Sequence, residues 1–280
     1  MLSTLLSRFA EDSGPAVHIT PGELFTVHGW AITNSMLYGV ISSVLIIILF
    51  AIIAWRMTVR PKGGIIQLVE LGSEFIVSLL ESSLGSRKKA VKYSPYFVTI
   101  FFFILLSNWL GLVPGVGEAL TYNGVPLLRP FTADLSGTLA AATITMILVQ
   151  IFAVKESGFI PHLKHYFNGS FKNPMTWFLG IFEMFGELTR IASLALRLFL
   201  NVAIGEIIIS VFAYLGKMGA PLTSLPFLIL ELFVGALQAY IFVMLSVMYL
   251  SVAVKHHAEH EAEDHESEPP KPLVAHGSKG

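Results

Sequence analysis

Residues 183–206 read EMFGELTRIASLALRLFLNVAIGE, and they set Arg197 in the middle of an apolar run long enough to cross a membrane. A guanidinium is not deprotonated in a protein, so it cannot neutralise itself to escape hydrocarbon. Placing one at a bilayer centre costs from ~2.5 to over ~10 kcal/mol, and such a charge points to an ion pathway or a proton relay. The run around it, from Pro174 to about Leu215, is far longer than a hydrocarbon core of ~30 Å requires at ~1.5 Å per residue.

Four more apolar stretches lie on either side, at 36–55, 96–113, 135–154 and 225–254. Each reaches the ~20 residues that a spanning helix needs. The expected fold is therefore an all-α polytopic membrane protein with five membrane-crossing segments. The last two segments are too long to stand upright, so they form a long antiparallel hairpin that is tilted or starts in the interface. Residues 1–35 form an extramembrane segment, 36–254 the helical membrane domain, and 255–280 a polar tail expected to be disordered.

Composition supports this. Hydrophobic residues make up 54% and charged residues 13%, with a mean hydropathy of +0.70, where a soluble domain carries about 25% charge. The absence of cysteine excludes disulfides, thiolate chemistry and cysteine-based zinc sites. The start, MLSTLLSRFAEDSG, has too short an apolar region for a cleavable signal. No internal repeat and no phosphate-cradling glycine loop is present, so neither a nucleotide nor a nucleic-acid site is expected, and no cofactor or metal is assigned.

Lysine and arginine set the orientation. One side holds Arg56, Arg60, Lys62, Arg87, Lys88, Lys89, Lys92, Lys155, Lys164, Lys172, Lys255, Lys271 and Lys279; the other holds Arg8, Arg129 and Lys217. The positive-inside rule places the N-terminus outside and the C-terminus in the cytoplasm, as an odd number of spans requires. Between the first two spans, Leu68, Leu71, Phe75, Ile76, Leu79 and Leu80 recur at helical spacing among Gln67, Glu70, Glu74 and Glu81. Residues 63–84 read as an amphipathic helix at the cytoplasmic interface, or as a plain connector. In the tail, His256, His257, His260 and His265 either bind metal or belong to a solvated acidic segment.

Glu183, Glu187, Arg190, Arg197 and Asn201 share one stripe of the fourth spanning helix. For the first three, a helix–helix seam of the Glu187–Arg190 ion-pair type is an alternative to a pathway. Arg197 has no acidic residue three or four positions away on its own helix. Glu206 lies half a turn off the stripe, ~13 Å along the axis from Arg197, and Glu187 lies ~15 Å the other way. The fifth span carries Glu231 and Gln238 on one face. A hairpin turning near residue 218 sets Gln238 level with Arg197 and Glu231 level with Glu206. The two carboxyls either share a low-dielectric site, where both cannot easily be ionised, or face different cavities.

Ser193-Leu194-Ala195-Leu196-Arg197-Leu198-Phe199, followed by Asn201 and Gly205-Glu206, resembles the signature of subunit a of the F-type ATP synthase. The run 237–242, LQAYIF, leading to Tyr249-Leu250-Ser251, is similar to that family's last helix. Residues 107–115, SNWLGLVPG, and 132–135, TADL, are similar to its second span and the start of its third. The resemblance covers about 25–255 and implies a stator that presses two steeply tilted helices against a ring of c subunits, each with an essential carboxylate. It implies two aqueous half-channels opening on opposite sides. Arg197 would be the essential arginine between them, keeping the facing ring carboxylate ionised and blocking leakage. Gln238 and Asn201 would be its polar partners. Glu206 would belong to the outside half-channel, with Asp134 near its entrance; Arg190, Glu187 and Glu183 would line the cytoplasmic side. Implied partners are the c-ring, the b subunits of the peripheral stalk, the remaining synthase subunits and membrane lipid. The lack of cysteine and the unprocessed-looking start favour a bacterial inner membrane over a plastid or mitochondrion. No catalytic site is expected on this chain.

Two positions depart from the family pattern. Leu200 stands where the family usually has glycine, and Glu206 and Glu231 are both glutamate where the family often pairs glutamate with histidine. The alternative class is a stand-alone secondary transporter or ion channel, which also uses intramembrane arginine and glutamate. That class usually shows inverted repeats or helices broken at the midplane, and neither is visible here.

Overall fold

Each long apolar stretch folds as a helix because lipid offers no partner for backbone N–H and C=O groups. The structure, a computed structural model, describes residues 22–27, 30–56, 64–113, 116–122, 125–157, 174–216 and 219–266. Among these the chain order is β1 (Glu23–Val27), β2 (Trp30–Thr33), α1 (Asn34–Arg56), α2 (Ile65–Leu84), α3 (Arg87–Gly111), β3 (Gly117–Tyr122), β4 (Val125–Leu128), a 3-10 turn (Phe131–Ala133), α4 (Leu135–Ser157), α5 (Pro174–Gly216) and α6 (Ala220–Glu266). β1 pairs antiparallel with β2 and β3 with β4. Alternation of apolar and polar residues is too short in either pair to stand out beside the spans. Five helices, all but α2, are long and apolar enough to cross a membrane.

Helices cover all five apolar stretches, most with longer ends. α3 begins at Arg87, nine residues before the predicted 96. Its charged first turns are held by groups distant in sequence. Arg87 bridges Glu74 at 2.8 Å and Glu81 at 2.9 Å on α2, while Lys89 and Lys92 reach Glu156 on α4 at 3.0 and 2.6 Å. Tyr93 adds its hydroxyl to the same carboxylate at 2.5 Å. α2 stops at Gly85, whose φ of 67° is left-handed, with its N–H on the Glu81 carbonyl. α6 runs as helix to Glu266, twelve residues past the expected end of the span at 254.

α3 and α6 form the middle of the bundle. One buried cluster joins Phe102, Ile104 and Leu105 of α3 to Leu194, Ala195 and Leu198 of α5 and Ala239 and Phe242 of α6. A second joins Tyr93 and Phe97 of α3 to Ile76 and Leu80 of α2, Val149 and Ala153 of α4, and Val243, Val247 and Leu250 of α6. In lipid such contacts are held by van der Waals packing and interhelical hydrogen bonds rather than by expulsion of water. α2 turns Val69, Ile76 and Leu80 inward and leaves Leu68, Leu71 and Phe75 exposed. This apolar outer surface beside charged residues suits the membrane interface.

Candidate functional site

The α5–α6 hairpin sets the depth of every charge in the site. Its register can be read from contacts along its length. Thr223 Oγ1 donates to the Phe212 carbonyl at 2.8 Å, and the Phe212 and Phe227 rings stack at 3.9 Å. Further in, the Glu231 carboxyl group lies directly against the backbone of Gly205. At the far end the Arg190 guanidinium sits 5.2 Å from the centre of the Tyr249 ring. All four contacts agree with a turn near residue 218, so Gln238 falls at the level of Arg197.

Gly205 is required by the approach of Glu231. Any Cβ at 205 would clash with the Glu231 carboxyl group. That group ends a flexible side chain, so Gly205→Ala is expected to leave the fold intact and push the carboxyl away. If Glu231 belongs to the expected outside half-channel, proton conduction should then fall about tenfold, the scale of one misplaced proton-transfer group. Assembly on native gels together with conduction assays checks this; unchanged conduction would remove Glu231 from the route. Glu206 lies within electrostatic reach of both Glu231 and Arg129.

Arg197 points away from the bundle. Leu194, Ala195, Leu198 and Val202 are buried, whereas Arg197 is exposed on the opposite side with Leu196, Leu200 and Ile204. Among the described residues its guanidinium has no hydrogen bond, ion pair or ring contact. Behind it, Gln238 is 5% exposed and its Nε2, like Nδ2 of Asn201, is buried without a hydrogen-bond partner among the described residues.

The remaining predicted residues separate by neighbour. Glu187 accepts a hydrogen bond from Gln150 of α4, and Arg190 stacks on α6, so the described contacts of this stripe join it to two other helices. Glu187, Gln150 and Lys155 line a cavity of about 540 Å³ between α4 and α5, otherwise walled by Met146, Ile147, Ile151, Val154 and Ile191. Glu183 stands one turn before Glu187 on α5, its side chain outside the described set. Asp134 is 7% exposed and caps α4: it accepts from the Ser136 N–H at 3.0 Å and from Ser35 Oγ on α1 at 2.5 Å. Asp134→Ala should lower stability by about 1–2 kcal/mol, and Asp134→Asn, which can still cap, should recover most of it. Thermal unfolding in detergent measures both.

Three residues were not singled out by spacing. Asn108 Nδ2 donates to the Gly235 carbonyl at 3.2 Å and Trp109 Nε1 to the Leu232 carbonyl at 3.1 Å, fixing α3 against α6 beside Glu231. Buried Arg129 donates to the Ala133 carbonyl at 3.1 Å. The motif around Asn108 was the available signal, but backbone acceptors on a distant helix leave no mark in sequence. Among residues whose side chains are described, no three His, Asp or Glu are gathered to hold a metal.

Charged and polar groups held at separate depths of a helical membrane bundle define an ion-translocating membrane protein rather than a passive anchor. Comparison with known proteins makes the class specific. The family model described as ATP synthase A chain matches residues 36–251. The chain is 34% identical over 249 residues to ATP synthase subunit a of Chlorobium phaeobacteroides, covering 83% of this chain and 68% of that one. It is 35% identical over 234 residues to the subunit of Ehrlichia canis, covering 80% and 89%. With that of Moorella thermoacetica identity is 30% over 240 residues, covering 86% and 99%. The chain therefore belongs to the ATP synthase A chain family, the proton-channel subunits of the F-type ATP synthase.

Proposed function

We propose that this chain is the stator of a rotary proton channel and that its outward α5–α6 face meets a ring of small c subunits. The observation that carries this is the exposed Arg197 guanidinium, which has no partner among the described residues. Its exposed neighbours on that side of α5 include Leu196, Leu200 and Ile204. A lone cation on such a face needs an anion from outside the chain, and the ring carboxylate supplies it.

Arg197 separates two half-channels. Toward the outside the route passes Asp134, Glu206 and Glu231 and reaches Asn201 and Gln238. Its support is a set of buried polar atoms without hydrogen-bond partners among the described residues: Ser107 Oγ, Asn108 Oδ1, Thr132 Oγ1, Asn201 Nδ2 and Gln238 Nε2. Such atoms are best satisfied by water inside a membrane protein. Toward the cytoplasm the route follows Glu183, Glu187 and Arg190, and the cavity beside Glu187 supports it. A proton enters one half-channel, neutralises a ring carboxylate, travels with the ring through lipid, and leaves by the other. The positive side carrying Arg87, Lys89, Lys92 and Lys155 faces the cytoplasm of a bacterium, with the b subunits of the peripheral stalk as further partners.

Affinity purification of the tagged chain from its native membrane tests this reading. The expected product contains a small two-helix proteolipid and a peripheral ATPase. Recovery of the chain alone, still transporting protons, would favour a stand-alone channel.

A further inference from the structure

We propose that Arg129 is a positioning residue of the outside half-channel, a buried permanent cation whose charge acts on the Glu206 carboxyl. The role depends on Glu206 lining that half-channel. Arg129 follows β4 directly and is 6% exposed. Its guanidinium cannot shed its proton to ease burial. Its Nη2 donates to the Ala133 carbonyl at 3.1 Å, but a neutral carbonyl does not offset a full charge. Asp134, on the following turn, is engaged by Ser35 Oγ and the Ser136 N–H. The carboxyl group on α5 within electrostatic reach of Arg129 is that of Glu206.

The segment that presents Arg129 is wedged between helices. Any Cβ at Gly111 of α3 would clash with the Pro130 ring, and any at Gly137 of α4 with Phe131; Gly39 of α1 leaves room for the same Phe131 ring. The 3-10 turn that follows packs against α5. Among the described side chains, Glu231 faces Glu206 from α6. The apolar stretches of α1, α3 and α4 add no charge, because 36–55, 96–113 and 135–154 contain no Asp, Glu, Lys, Arg or His. Arg197 lies ~13 Å away along α5, on another side of that helix. Arg129 is therefore the cation set against the like charges of Glu206 and Glu231. Two carboxyl groups in one low-dielectric site resist joint ionisation, and a fixed cation beside them relieves that resistance.

The test is passive proton conduction across a pH series, in membranes that carry the assembled complex and are stripped of the peripheral ATPase. Arg129→Gln keeps a donor for the Ala133 carbonyl and removes the charge. It is expected to conduct about tenfold less and to move the conduction profile upward by about 1 pH unit, because a carboxyl deprived of its cation holds its proton to higher pH. Arg129→Lys keeps the charge and should recover most of the conduction and the wild-type profile. Glu206→Gln alone should lose conduction, and adding Arg129→Gln to it should lower conduction no further. If Arg129→Gln fails to assemble, the double variant should assemble, since neither charge is then left buried alone; a double variant that also fails would assign Arg129 to the turn alone and overturn the proposal. A wild-type profile for assembled Arg129→Gln, with Glu206→Gln defective, would overturn the role of Arg129 by itself. Normal conduction by Glu206→Gln would overturn the placement of Glu206 in the half-channel, and the role of Arg129 with it.

Discussion

Arg197→Ala is expected to abolish both ATP-driven proton pumping and ATP synthesis while leaving the complex assembled. Assembly survives because the guanidinium is exposed and has no partner among the described residues, so its removal breaks no packing within the bundle. Function fails because a ring carboxylate entering a dry interface would protonate without a cation opposite it. At an effective dielectric near 20, a cation brought within ~4 Å of a carboxylate contributes about 4 kcal/mol. That corresponds to roughly three decades in the ionised fraction. Arg197→Lys should fail as well, because an ammonium is a compact point charge that can lose its proton when buried. Acidification of inverted vesicles by ATP, with subunit content checked on the same membranes, measures this. Normal acidification by either variant would refute the role.

The second large effect concerns the carboxyl groups near Gly205. Glu206→Gln should reduce passive proton conduction by ~10²-fold, within the range contributed by a positioned proton-transfer group. Glu231→Gln should reduce it less, because Glu206 carries the closer match to the family signature. Glu231→His restores the commoner pairing and should conduct, with a shifted pH profile because imidazole titrates near neutrality. The assay is conduction through membranes stripped of the peripheral ATPase across a pH series. An unchanged profile for Glu231→His would take Glu231 out of the relay.

The parts of this arrangement that follow from local pattern were legible in the sequence. A permanent charge inside an apolar run marks Arg197, and an antiparallel hairpin has one level for each pair of positions, so the sequence sets Glu231 level with Glu206; that its carboxyl lies against the Gly205 backbone is visible only in the structure. Helix ends were less legible, since they depend on partners far along the chain. The charged start of α3 reads as loop until Glu156, 64 residues beyond Lys92, is seen to hold it. Asn108 and Trp109 bond to carbonyls 127 and 123 residues away, and a backbone acceptor has no sequence identity. Likewise the stripe on α5 showed that Glu187 and Arg190 share a side, but not that Glu187 meets Gln150 and Arg190 meets Tyr249. Asp134 was placed by resemblance near a channel mouth; its described bonds are those of a helix cap.

Disulfide trapping tests most directly whether the exposed face around Arg197 meets the ring. A cysteine replacing Leu200, on the Arg197 face, should crosslink to a cysteine placed beside the essential carboxylate of a c subunit. A cysteine replacing Val44, exposed on α1, should not. Crosslinking from position 44 with none from position 200 would put the ring on a different face and contradict the assignment of Arg197.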